Sequence, residues 1–311
     1  MEVAVSAVLT VVGLVMLCFG GNWLVSGGVA IAKKFRISNL VIGMTIVAYG
    51  TSTPELAASV VAAGEHSAII LGNIIGSNIA NVGMVIGIAA ILVPLAVSKS
   101  ALQKEIPIML GVSLLLVLIS IDGEISIYDG ILLLVGLGVF AFYTYKDAMK
   151  QREANKEKPE QGKNNIYLKS IGLIGIGIVF LYVGAVLTVD NAVILAKEFG
   201  LSEKIIGLTV IAIGTSLPEL ITSIIAIRKG HADIGVGNII GSNIYNILMI
   251  MGVGAALGGV VVASDVYVDY AIMIVFSLSL LIAIKTGIIG RAMGVCLTIG
   301  YVAYLVVTFF K

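Results

Sequence analysis

Charge is what this sequence has least of. Asp, Glu, Lys and Arg make up 12% of its 311 residues, about half the share of an ordinary soluble domain. Hydrophobic residues make up 59%, and mean hydropathy is +1.11. This balance excludes a water-solvated fold and leaves no stretch for a soluble catalytic domain. Cysteine is almost missing: Cys18 and Cys296 both lie inside apolar runs, so neither a disulfide framework nor a thiolate metal site is expected. The two histidines, His66 and His231, fall in predicted loops, and no HExxH or GxSxG pattern is present. Intramembrane hydrolysis has no catalytic groups to draw on, so the chain reads as a non-enzyme without a cofactor. The N-terminus lacks the basic n-region and small-residue cleavage site of a signal peptide, so its first apolar run is expected to persist as a span. Nucleic acid is not expected as a partner.

What is abundant is apolar sequence in long runs. A helix crossing a bilayer needs about 20 mostly apolar residues, and runs such as 110–121 and 271–284 show none of the alternation of a β-barrel strand. Ten helical spans are predicted, near 3–31, 39–63, 68–95, 105–121, 127–145, 169–196, 204–227, 233–260, 268–285 and 289–310. The fold class is thus an all-α, multi-pass membrane protein with the lipid bilayer as its solvent. The 37 glycines suit close helix packing in lipid. One long hydrophilic stretch, 146–168, separates a first five-helix half, 1–145, from a second, 169–311.

Positive charge sets the expected orientation, because Lys and Arg of short loops stay on the cytoplasmic side. With the linker cytoplasmic, all of the 19 basic residues except Lys197, Lys204 and Lys311 fall on that side. Both termini are then extracellular. The halves are also copies. Residues 43–60 (GMTIVAYGTSTPELAASV) align without gaps to 207–224 (GLTVIAIGTSLPELITSI), and GNIIGSNI occurs at 72–79 and again at 237–244, followed by Asn81 and Asn246. An odd number of spans per half makes the repeat inverted, an arrangement that places substrate near the midplane and alternates access.

Inside the spans the informative groups are acids, since an ionised side chain there costs roughly 2.5 kcal/mol or more without compensation. Glu55 and Glu219 sit at matching positions of spans two and seven, with no Lys, Arg or His at comparable depth. They must bind cations or protons. Around them Thr51, Ser52, Thr215, Ser216, Ser77, Asn78, Asn81, Ser242, Asn243 and Asn246 offer only oxygen, which favours hard cations such as Ca²⁺ and Na⁺ over zinc or copper. Pro54 and Pro218 remove helical hydrogen bonds and free the carbonyls of Gly50 and Gly214. Gly72, Gly76, Gly237 and Gly241 permit similar interruptions in spans three and eight. Helices 2, 3, 7 and 8 are therefore expected to be interrupted around one midplane site. Asn73 and Asn238 read equally as caps of half-helices or as substrate ligands.

The doubled pair GTSxPE and GNxxGSNxxN resembles the calcium/cation antiporter superfamily, and its sodium/calcium exchangers most closely, over both halves of the chain. The resemblance implies that Glu55 and Glu219 are central Ca²⁺ ligands, joined by the backbone carbonyls of Thr51 and Thr215. It implies Na⁺ positions at Ser77 with Ala48 and at Ser242 with Ala212, and a polar shell completed by Ser52, Ser216, Asn81 and Asn246. The carbonyls implied lie one residue beyond those the prolines indicate, and the resemblance is followed here. Some archaeal members and the potassium-dependent branch carry Asp where this chain has Asn246. With two glutamates and no third acid, the expectation is an electrogenic, K⁺-independent Ca²⁺/Na⁺ antiporter working as a monomer.

The alternative is a calcium/proton antiporter of the same superfamily, with H⁺ as the coupling ion. Its GNxxEH motif has no counterpart at GTSTPE or GTSLPE, and Glu65-His66 falls in an external loop. A passive channel also uses carboxylates and carbonyls, but an inverted repeat favours alternating access.

Overall fold

The computed structural model describes residues 2–62, 67–154, 165–200, 212–263, 266–284 and 286–310. Among them the apolar runs form ten helical stretches. These are α1 (Glu2–Phe35), α2 (Asn39–Ile42, Gly43–Val47, Ala48–Thr51 and Thr53–Ala62), α3 (Ser67–Ala80, Asn81–Ile86 and Gly87–Leu92), α4 (Ala101–Glu105 and Ile106–Ile119) and α5 (Ile127–Ala154). The second set is α6 (Asn165–Glu198), α7 (Ala212–Thr215 and Leu217–Arg228), α8 (Ala232–Tyr245, Asn246–Met251 and Gly252–Gly258), α9 (Val266–Ser279 and Leu280–Ile284) and α10 (Arg291–Phe310). Eight of the ten are long and apolar enough to cross a membrane; α2 and α7 are the other two, divided at Ser52 and Ser216.

Helix reaches into the polar linker from both sides: α5 runs on to Ala154 and α6 begins at Asn165. Polar side chains hold the end of α5 in place. Gln151 Nε2 donates to Asp147 Oδ2 one turn back (2.6 Å), its Oε1 accepts from the Ser38 backbone N–H at the start of α2 (2.8 Å), and Lys104 lies 3.7 Å from Asp147. Glu65, His66, Lys204 and Lys311, all named in the sequence analysis, lie outside the described residues.

Burial orders the helices into layers. In α3 and α8, 83% of the apolar window is buried within the protein, against 22% in α1 and α5 and 17% in α10. The two GNIIGSNI helices are thus the inner pair, and their isoleucines and methionines build the larger hydrophobic cluster with α4, α5 and α9. A second cluster joins α1 and α6 to α2 and α7 through Leu17, Leu24, Val47, Leu181 and Ala226. The α1–α6 crossing is antiparallel and runs on small residues: a Cβ on Gly13, Gly20 or Gly27 would stand 2.8 Å from the carbonyl oxygen of Gly184, Gly177 or Ser170 respectively. Only hydrogen at these positions lets the backbones meet.

Two short sheets close the ends. β1 (Leu95–Ala96), before α4, pairs antiparallel with β4 (Ile288–Ile289), before α10; β2 (Glu124–Ile125), before α5, pairs with β3 (Val260–Val261), before α9. Each sheet therefore stitches a connection of the first half to one of the second.

Candidate functional site

The residues singled out by the repeat converge where α2, α3, α7 and α8 meet. In α2 the chain passes Thr51 and turns at Ser52 (φ −84°, ψ 6°) before Pro54 and Glu55; in α7 it turns at Ser216 (φ −89°, ψ 2°) before Pro218 and Glu219. Both turns follow from proline chemistry, since Pro54 and Pro218 bring no N–H to the ladder and crowd the preceding turn. The ladder tightens without parting. Ser52 N–H still reaches the Ala48 carbonyl at 3.0 Å, and Ser216 N–H reaches that of Ile213 at 3.1 Å. In α3 and α8 the wide five-residue turns begin at Asn81 and Asn246, the last asparagine of each motif.

Glu55 and Glu219 are both buried. Glu219 Oε1 accepts from Ser52 Oγ across the halves (3.2 Å) and from Ser242 Oγ (3.3 Å). Thr51 Oγ1 lies 3.4 Å from Ser242 Oγ and donates to Asn238 Oδ1 (3.1 Å). Ala48 is fully buried, and its carbonyl accepts from Ser52 N–H (3.0 Å) and lies 3.2 Å from Thr51 Oγ1. Among the described residues, no ion pair is made to either glutamate.

Several buried oxygens here have no hydrogen-bond partner: Glu55 Oε2, Glu219 Oε2, Ser77 Oγ, Ser216 Oγ, Asn81 Oδ1 and Asn246 Oδ1. Leaving one such group unmet in a folded interior costs about 1–3 kcal/mol, more for a charged one. Two belong to the acids themselves and four to other residues of the repeated motifs, and all six are oxygens of the kind a hard cation takes as ligands. Thr215 is half-buried beside Ser216, and Ala212 belongs to α7 without a described side chain.

Two features escaped the sequence. Asn238 is no cap; it lies inside α8, fully buried, with Nδ2 on Ser223 Oγ (3.0 Å) and Oδ1 on Thr51. The serine repeated four residues after each GTSxPE motif, Ser59 and Ser223, was the available signal, and both are buried in the structure. The second feature is an asparagine network. Asn81 Nδ2 donates to Asn243 Oδ1 and Asn246 Nδ2 to Asn78 Oδ1, both at 2.9 Å, so Asn78 and Asn243 spend their oxygens on each other's motif.

Fold and centre together define a multi-pass helical membrane protein with a buried, acidic, oxygen-lined core. Comparison narrows the class. The family model "Sodium/calcium exchanger protein" matches the chain over residues 5–146 and 169–310. Inner membrane protein YrbG of Escherichia coli (strain K12) is 37% identical over 310 residues, covering 96% of this chain and 94% of YrbG. Sodium/calcium exchanger MaX1 of Methanosarcina acetivorans is 33% identical over 353 residues, covering 99% of both chains. The structure of the sodium-calcium exchanger NCX_Mj soaked with 10 mM Na⁺ and zero Ca²⁺ superposes with a TM-score of 0.86 at 36% identity, over 98% of this chain and 99% of that one. The chain belongs to the sodium/calcium exchanger family, a family of membrane transporters and not of enzymes.

Proposed function

We propose that this protein exchanges Ca²⁺ for Na⁺ across a cell membrane by alternating access, with both ions bound at the Glu55–Glu219 centre. The observation that carries the reading is the set of unpartnered buried oxygens on the repeated motifs, together with two buried acids that no described basic residue neutralises. Glu55 and Glu219 with the Thr51 and Thr215 carbonyls form the Ca²⁺ position; Ser77 with Ala48, and Ser242 with Ala212, form Na⁺ positions. Ser52, Ser216, Asn81 and Asn246 complete the shell. Two carboxylates balance one Ca²⁺, whereas roughly three Na⁺ leave one positive charge, so exchange at that ratio is electrogenic. Lacking a third acid, the centre has no call for K⁺.

The architecture behind this reading is an inverted repeat of residues 1–145 and 169–311, with helices 2, 3, 7 and 8 interrupted beside the centre. Support comes from the two stretches matched by the family model and from bonds that recur in mirrored form between the halves. Basic loops place the linker in the cytoplasm and both termini outside, and one chain contains a complete set of ligands, so the monomer is the working unit. The test is Ca²⁺ uptake by reconstituted vesicles under an imposed Na⁺ gradient and then under a pH gradient of equal size, with and without K⁺. Uptake driven by Na⁺ alone is expected. Uptake driven by pH alone assigns calcium/proton exchange instead, and an absolute need for K⁺ removes the K⁺-independent reading.

A further inference from the structure

The asparagine network fixes more than the contact between α3 and α8. Asn78 Nδ2 faces the backbone carbonyl of Asn243 (3.3 Å) and the Met273 sulfur (3.8 Å); Asn243 Nδ2 faces the carbonyl of Asn78 (3.4 Å) and the Met109 sulfur (3.6 Å). Carbonyls and thioethers only accept, so each amide must present its nitrogen there, and its oxygen is turned the other way. That oxygen can only accept in turn. It therefore dictates which end of the next amide meets it: Asn246 must offer Nδ2 to Asn78, and Asn81 must offer Nδ2 to Asn243, both at 2.9 Å. Turning Asn246 over would set two acceptors against each other at that distance with no proton between them.

The remaining atom of each outer amide is then decided. Asn246 Oδ1 and Asn81 Oδ1 are buried and have no hydrogen-bond partner. We propose that Asn78 and Asn243 are positioning residues, each locking the side-chain carbonyl of the opposite half's asparagine, Asn246 or Asn81, into the orientation that coordinates the transported cation. This rests on the reading of the centre as the ion site. The chemical logic makes the pairs separable from ordinary packing. A packing residue acts on the fold, whereas a positioning residue acts only through the amide it orients.

A double-mutant cycle tests this in reconstituted vesicles, reading KM and maximal rate for Ca²⁺ uptake and the rise in melting temperature on adding Ca²⁺. Asn78→Ala and Asn246→Ala are each expected to raise KM roughly tenfold, the scale of a lost hydrogen bond to a charged group. The double variant is expected to match Asn246→Ala alone, because the amide that Asn78 orients is then gone. Asn243→Ala and Asn81→Ala form the mirror cycle. Asn78→Leu, which fills the volume without a polar atom, gives the same comparison where alanine impairs folding. Multiplying effects in the double variant, or an Asn78 variant with unchanged KM and an intact Ca²⁺-induced melting shift, overturns the proposal. Glu55→Gln in parallel separates the two readings: if it stays active the centre itself is wrong, and if it is dead while Asn78 variants keep their KM, only the positioning role falls.

Discussion

The two copies of GNIIGSNI are identical in sequence and unlike in surroundings. In the second, Gly237, Asn238 and Gly241 are buried, and a Cβ on Gly237 or Gly241 would stand 2.7 Å from the Leu40 carbonyl or 2.6 Å from that of Met44 in α2. In the first, Gly72 is exposed, Asn73 and Gly76 are half-buried, and no described atom lies within 4 Å of a Cβ built on either glycine. Among the described residues, these three positions are thus covered by a neighbouring helix in the second copy and wholly or partly uncovered in the first, while the other five are buried in both. A repeated sequence held in two environments is what alternating access requires, since exchanging the environments exposes the centre to the other side. The glutamates share the imbalance: Glu219 takes hydrogen bonds from Ser52 and Ser242, whereas Ser216, the counterpart of Ser52, leaves its hydroxyl unpartnered.

The comparison can be broken first at the acids. Glu55→Gln and Glu219→Gln should each abolish Na⁺-driven Ca²⁺ uptake despite their unequal bonding, while circular dichroism and elution volume stay unchanged; activity in either variant would mean that the two copies do not share one site. Next come the glycines. Gly241→Ala forces a methyl into the α2 backbone and is expected to lower stability by about 1–3 kcal/mol, read as a drop in melting temperature. Gly76→Ala should leave the melting temperature of this conformation alone yet slow turnover, because the sealed arrangement of the first half could no longer form.

Accessibility sharpens the same contrast. In a background with Cys18 and Cys296 replaced, Gly72→Cys is expected to react with a membrane-impermeant thiol reagent added outside, and Gly237→Cys to react far more slowly; equal rates would remove the asymmetry. The smallest effect is expected at Lys229, whose ammonium donates to the Asn22 carbonyl (3.2 Å) and Ser26 Oγ (2.7 Å) and so ties the end of α7 to α1. Lys229→Ala should shift stability by less than about 1 kcal/mol, as for other exposed polar ties.

Much of this was legible without coordinates. The helical spans follow from apolar runs that only a bilayer tolerates, and Glu55 and Glu219 stand out because few acids interrupt those runs. Helix runs past the expected end of span five because hydropathy marks where lipid ends and not where a helix does: residues 146–154 are polar but form good helix, pinned by Gln151. At Asn238 the sequence leaves helix cap and substrate ligand equally open, because it cannot show that Thr51 and Ser223 wait on either side of the amide.

Alone, then, the sequence determined the all-helical membrane class, the doubling of one motif and the oxygen chemistry of the centre, all of which depend on residue type and spacing. Tertiary structure decided which way each amide of Asn78, Asn81, Asn243 and Asn246 faces, which of two identical motifs has its glycines covered, and which oxygens remain unmet. Those are properties of neighbours brought together across the halves. A hydrogen bond's direction is set by the partner it meets, and no local pattern contains that partner.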